Sequence, residues 1–275
     1  MANRKLVVWI KQGVAGWNQW REQYPDVMVD LSDADLNGAD LNGANLSNAR
    51  LMRANLSEAN LRGANLRRAR LNQARLTHAS LNEAILEYAD LSDADLNSAD
   101  LSQATLRDAR LRRARLDQAN LANASLNRAR LNQSRLTRAD LDGADLGGAV
   151  LSDADLSQAR LTNVVLNRAG LNSARLNQAD LSGADLSNAN LANASLREAN
   201  LSGADLRDAQ LSEAILQGAN LEHIIIAGAN FQKADLRGIP WLIIMDLTLQ
   251  PGTDFSGIQW DHSPDSLTDR HNHTA

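Results

Sequence analysis

Leucine recurs at every fifth residue from Leu31 to Leu236, and alanine stands two residues before almost every one of them. The run opens Leu31-Ser32-Asp33-Ala34-Asp35-Leu36 and continues without a slip for about 42 units, which marks a stacked-repeat solenoid. Ile226 and Phe231 take leucine positions, and Ser134, Val164 and Ile224 take alanine positions. A five-residue step turns an α-helix by about 140°, so these leucines would scatter around a helix and bury no stripe. In an extended segment, residues two apart point the same way. Alanine and leucine can therefore both face inward across a short extended piece, and the remaining residues must turn the chain. Each unit reads as Ala and Leu in, three variable residues out. The units wind into a coil whose turns stack about 4.8 Å apart.

The pattern changes at both ends. Residues 3 to 23 predict one helix, with Leu6, Trp9, Ile10, Gly13, Trp17 and Trp20 near one face and Pro25 ending it. A solenoid exposes unpaired backbone at its first coil, and a Trp-striped helix suits a lid over it better than a ligand pocket. After Leu236 the pattern decays into Ile239-Pro240-Trp241-Leu242-Ile243-Ile244-Met245, read as a second cap or as a homodimer contact between exposed ends. The expected organisation is a helical cap at 1–28, repeats at 29–238, a C-terminal cap at 239–260 and a disordered tail at 261–275.

Composition narrows the chemistry. Cysteine is absent, so disulfides and thiol chemistry are excluded, and the net charge of −5 gives no nucleic-acid footprint. The apolar stretch from Leu6 to Ile10 is too short for a signal segment, and no stretch approaches a membrane span, so a cytoplasmic protein is expected. His262, His271 and His273 among Asp261, Asp265 and Asp269 suggest no more than weak, unspecific metal binding. His78 and His223 stand alone, and no nucleophile, phosphate loop or dinucleotide fingerprint appears, so no enzyme, cofactor or metal site is expected.

The unit Ala-(Asp/Asn)-Leu-x-x, as in Ala34-Asp35-Leu36-Asn37-Gly38 and Ala44-Asn45-Leu46-Ser47-Asn48, resembles the pentapeptide repeat proteins. The leucine centres and the Trp17-Asn18-Gln19-Trp20-Arg21 entry look most like cyanobacterial members. The resemblance implies an all-β fold, a right-handed quadrilateral β-helix with four units per coil. About ten coils would then make a rod roughly 50 Å long. It further implies either a non-catalytic interaction rod with a regulatory role or a duplex-DNA mimic that binds DNA gyrase. Leucine centres, abundant arginine and the lack of an inserted loop count against the mimic.

Function must then lie on the outward residues. Leu-Ser-Asp-Ala-Asp-Leu begins at Leu31, Leu91 and Leu151, and Leu71-Asn72-Gln73 recurs as Leu131-Asn132-Gln133, a super-period of 60 residues. Charge follows it in alternating zones along the chain, with the strongest basic belt between Arg107 and Arg138. The residues expected to meet an unidentified protein partner are Arg110, Arg112, Arg113, Arg115, Arg130 and Arg135, together with the apolar exceptions Ile85, Tyr88, Val165 and Ile225. Interspersed acids and the lack of a stacking platform argue against nucleic acid.

Overall fold

The structure, a computed structural model, describes residues 4–261. Each outward residue preceding a leucine bridges the residue twenty positions on, always in parallel: Asp30 to Arg50, Arg50 to Arg70, Arg70 to Asp90 and onward to Ile215 with Asp235. Twenty residues are four units, so the coil has four walls and the 60-residue super-period is three coils. The first wall carries residues 30, 50, 70 and so on; the second 35, 55, 75; the third 40, 60, 80; the fourth 45, 65, 85.

Three backbone hydrogen bonds per unit tie one coil to the next. In one unit Leu111 N donates to Arg130 O at 2.7 Å, Arg130 N to Ala109 O at 2.9 Å and Arg113 N to Asn132 O at 3.0 Å. The corner is a four-residue turn closed from the alanine N to the leucine O, as in Ala34 to Leu31 at 3.1 Å. Its third residue is left-handed in unit after unit, with φ of 57° at Arg113 and 59° at Gln133, as type II turns require. Val164, larger than alanine, is accepted inside, and its turn bond lengthens to 3.3 Å. Ser134, buried in an alanine position, satisfies its hydroxyl on Leu131 O at 2.6 Å.

The three outward residues are not equivalent. The residue after leucine and the residue before it are commonly half-buried, whereas the left-handed corner residue is mostly exposed. Side chains at the first two positions bend back to the coil: Asp90 Oδ1 accepts from Ser92 N at 3.1 Å and from Ser92 Oγ at 2.6 Å.

The single N-terminal helix expected from the sequence is two helices, α1 (Arg4–Gln12) and α2 (Val14–Gln23). They break at Gly13, whose φ of 148° and ψ of 143° lie where only glycine is comfortable, so a helical periodicity hides a hinge. Trp9, Trp17 and Trp20 pack edge to face or tilted, with centroids 5.0–5.9 Å apart, and Trp17 is fully buried. The fourth wall has no coil beneath Asn45, and α2 supplies the missing partners. Asn18 Nδ2 donates to Gly43 O (2.9 Å), and Asn18 Oδ1 accepts from Asn45 N (2.8 Å). Trp17 Nε1 donates to Asn45 O (3.0 Å), and Arg21 reaches Ser47 O (3.1 Å).

At the other end α3 (Trp241–Thr248) replaces two walls, after which the ladder resumes. Asp254 pairs with Asn230 and Gln259 with Asp235, an offset of 24 residues. Thr253-Asp254-Phe255 and Ile258-Gln259-Trp260 are thus two further units without the alanine and leucine that would betray them. Phe255 stacks on Phe231 at 5.3 Å. The fourth wall is again closed by one side-chain amide: Gln250 Oε1 accepts from Ile226 N (2.7 Å), and its Nε2 donates to Ile224 O (3.0 Å). The expected tail, apart from Asp261, lies outside the described residues, as do His262, His271 and His273.

Candidate partner-binding edge

Wrapping the chain sorts charge by wall as well as along the axis. The first wall reads Asp30, Arg50, Arg70, Asp90, Arg110, Arg130, Val150. The second reads Asp35, Asn55, Arg75, Asp95, Arg115, Arg135, Asp155, Arg175. Opposite them, the third carries Asp40, Asp100, Asp140 and Asp180 with Arg160 as its basic residue, and the fourth carries Asp145, Asp185 and Asp205. The zones expected from the linear sequence are therefore resolved into an arginine-bearing edge and an acidic one.

All six arginines named from the sequence meet on the first edge. Arg110, Arg112, Arg113 and Arg115 turn the corner between the first and second walls, and Arg130 and Arg135 stack directly on Arg110 and Arg115. The acidic row one coil below engages several of them. Arg113 binds Asp93 through two nitrogens at 2.7 and 2.9 Å. Arg115 lies 3.8 Å from Asp95, Arg110 4.0 Å from Asp90, and Arg135 3.1 Å from Asp117. The Arg113 hydrogen bonds hold the Asp93 carboxyl below the usual carboxylate range, and Asp93 raises Arg113 in return. Burial pushes Asp90 up, but hydrogen bonds from Ser92 and Asn72 outweigh it and the group is lowered. Among the described residues, no carboxylate lies within 4.0 Å of Arg112 or Arg130, nor of Arg50 or Arg70. A shallow depression at this corner is lined by Asp90, Ser92, Arg110, Arg112, Arg130, Asn132, Gln133 and Asp153.

The apolar exceptions share a wall without forming a patch. Ile85, Val165 and Ile225 all lie on the fourth wall, but Thr105, Ser125 and Asp145 separate the first two, and Asp185 and Asp205 the last two. Tyr88 occupies the corner next to the fourth wall. Arg67 and Arg68 lie over its ring at 5.8 and 5.7 Å, and its hydroxyl reaches Asp108, which Arg128 holds at 2.8 and 2.9 Å. Tyr88 is therefore a rung in an Arg68–Tyr88–Asp108–Arg128 ladder. His78 and His223 lie on two different corner columns. Among the described residues no group of three His, Asp or Glu side chains is placed to hold a metal ion, and no helix is long and apolar enough to cross a membrane. Sequence reasoning missed Arg50 and Arg70 as members of the arginine edge; the 60-residue super-period, which maps them onto Arg110 and Arg130, was the signal that could have found them.

Among solved structures, the chain is 34% identical to HetL of the cyanobacterium Nostoc sp. strain PCC 7120, a pentapeptide repeat protein involved in heterocyst differentiation regulation. That match covers 88% of this chain and 93% of HetL, with a TM-score of 0.26. Full-length QnrB1, a plasmid-mediated fluoroquinolone resistance protein, is 16% identical over 87% of this chain and 97% of its own, with a TM-score of 0.46. Rfr23 of the cyanobacterium Cyanothece 51142 is 28% identical over 50% of this chain and 64% of its own, with a TM-score of 0.22. A search of curated proteins returned no match. The family model described as pentapeptide repeats matches repeatedly, over 30–68, 64–103, 99–138, 114–153, 129–168, 171–209 and 204–239. With an unbroken five-residue ladder wound twenty residues to the coil, the chain belongs to the pentapeptide repeat proteins.

Proposed function

We propose that the chain is a non-catalytic interaction rod that docks a protein partner through the edge between its first and second walls. One observation carries this reading: six arginines from two successive coils share one edge, and among the described residues Arg112 and Arg130 have no carboxylate within 4.0 Å. Stacking Arg130 on Arg110 puts like charges on neighbouring rungs, which repel unless an opposite charge intervenes. A partner's carboxylates supply that charge and fix the register of docking. Leucine and alanine fill the interior, so binding rests on the outer residues alone. A regulatory role is part of the same proposal, since a rod without chemistry acts by occupying a partner.

The test is affinity capture from the source organism, followed by charge reversal. Arg112→Glu and Arg130→Glu should each weaken the recovered partner by about tenfold or more without loss of fold. Arg113 and Arg135 are poorer probes, because Asp93 and Asp117 already hold them. Full retention of a specific partner by both variants would remove this edge from consideration.

The duplex-mimic alternative has one observation in its favour, the carboxylates Asp140, Asp145, Asp180, Asp185 and Asp205 on the third and fourth walls. Arg160 binds Asp140 at 3.0 Å and interrupts that array. A gyrase supercoiling assay is expected to show neither inhibition nor protection. A homodimer through the C-terminal end would use Leu242 and Leu249, which are 78% and 82% exposed. Sedimentation of the wild type and of Leu242→Lys tests it.

A further inference from the structure

The first wall repeats its arginines. Arg50 and Arg70 bridge each other in register, and so do Arg110 and Arg130. The two pairs are 60 residues apart, three coils, or about 14 Å along the axis at 4.8 Å per coil. Asp90 stands midway between them, bridged to Arg70 on one side and Arg110 on the other. Among the described residues, one of the four arginines comes within 4.0 Å of a carboxylate, Arg110 at that limit from Asp90. Ser92 holds one oxygen of Asp90, Oδ1, at 3.1 Å from its backbone N and 2.6 Å from its Oγ, which leaves Oδ2 to face outward 4.0 Å from Arg110.

From this arrangement we infer that the first wall binds an extended acidic segment of a protein partner, with carboxylates four residues apart and a basic residue between them. The inference rests on the docking proposal above and deepens it. An extended chain advances about 3.4 Å per residue and presents every second side chain to the same side. Residues i and i+4 are then about 14 Å apart on one face, which matches the two arginine pairs. Residue i+2 faces the wall at the midpoint, opposite Asp90. An α-helix rises 1.5 Å per residue and needs about ten residues for the same span, a step that does not return to the same face. The recognition pattern is therefore acid-x-base-x-acid, with one carboxylate between the two guanidinium groups of each pair. Arginine suits this, because its planar fork can share a carboxylate with a second donor.

The test uses labelled 12-residue peptides centred on Glu-x-Lys-x-Glu, titrated against the full chain at low ionic strength by fluorescence anisotropy. Binding should fall about tenfold in Arg50→Gln/Arg70→Gln and again in Arg110→Gln/Arg130→Gln. It should also fall when the two glutamates are moved to i and i+7. Circular dichroism and melting temperature check that the variants remain folded. Equal binding of the i, i+7 peptide, or no effect of the Arg50/Arg70 change, overturns the inference. Tighter binding of duplex DNA than of the peptide, with a steep salt slope, overturns it in favour of a nucleic-acid ligand. The captured partner separates this inference from the broader proposal. If that partner is lost by Arg130→Glu but untouched by Arg50→Gln/Arg70→Gln, the extended-segment inference falls and the docking edge stands. If Arg112→Glu, Arg130→Glu and Arg50→Gln/Arg70→Gln all leave it bound, both fall.

Discussion

At each corner a single residue takes the left-handed conformation, and in most units it is not glycine. For an L-residue that conformation costs roughly 1–2 kcal/mol, more when the side chain is β-branched. Ser173, at φ 59° and exposed, makes no side-chain hydrogen bond among the described residues, so it isolates the backbone effect. Ser173→Gly should raise stability by up to about 1 kcal/mol, and Ser173→Val should lower it by about 1 kcal/mol or more. Thermal unfolding of the two variants measures both signs. A second residue-scale prediction concerns acid. Arg237, aided by its own backbone N–H and by Gln217, holds Asp235 at a pKa of about 2, against the usual 3.8. A depressed carboxylate stabilises the fold fully above its unfolded value and loses that contribution as pH falls through the folded one. The stability conferred by Asp235 should therefore be intact at pH 5 and disappear between about pH 4 and pH 2. Acid melts of wild type and Asp235→Asn should converge over that interval. The inward alternation of alanine and leucine was legible because packing tolerates so few residue types. The corner was legible only as a need to turn, since many residue types accept its backbone when the coils on either side hold it.

Among the elements, the caps mattered most and were least visible. The tryptophan stripe announced a lid, but the periodicity runs straight through the Gly13 break, and the hydrogen bonds from Asn18 reach residues 25 and 27 positions away. The last two units escaped notice because Thr253, Phe255, Ile258 and Trp260 fill positions that alanine and leucine fill elsewhere. Near a rod end the interior is no longer confined on both sides, so larger residues fit. Asn18→Leu and Gln250→Leu each leave one backbone N–H and one C=O of the fourth wall without their partners. Each should cost about 1–3 kcal/mol, read in denaturant melts, with amide exchange rising first at Asn45 or Ile226. Within the coils, Leu126→Ala should cost about 2–5 kcal/mol, because a filled interior cannot close over the lost methyl groups.

For the whole molecule, the interior and exterior obey different periods. Inside, every unit is equivalent, so five residues are the period; outside, the walls return only after twenty, and the charge pattern after sixty. Deleting residues 151–170 removes one coil beyond the arginine pairs and leaves every wall in line. Deleting 76–80 preserves the leucine ladder and every arginine of the edge but turns everything after it by one wall, moving Arg110 and Arg130 to a different side from Arg50 and Arg70. Both deletions should fold, with similar circular dichroism. The five-residue deletion should abolish recognition that depends on the first wall as a continuous line, measured as partner affinity. This difference explains why the arginine edge was only partly legible. The belt from Arg107 to Arg138 stood out as a run, whereas Arg50 and Arg70 join it only through the 60-residue super-period, and the stacking of each pair on one wall needed the number of walls.

The side-chain amides of Asn18 and Gln250 have one more consequence. Each occupies, on the same wall, the hydrogen-bonding slots that another coil would take. A ladder of identical rungs has no inherent length and is, in effect, a fibre waiting for monomers. Together with Trp17 and Arg21, which fill carbonyl slots of the first coil on that wall, these residues act as chain terminators. A variant lacking all four side chains should grow end to end, with a lag phase that fresh seeds abolish.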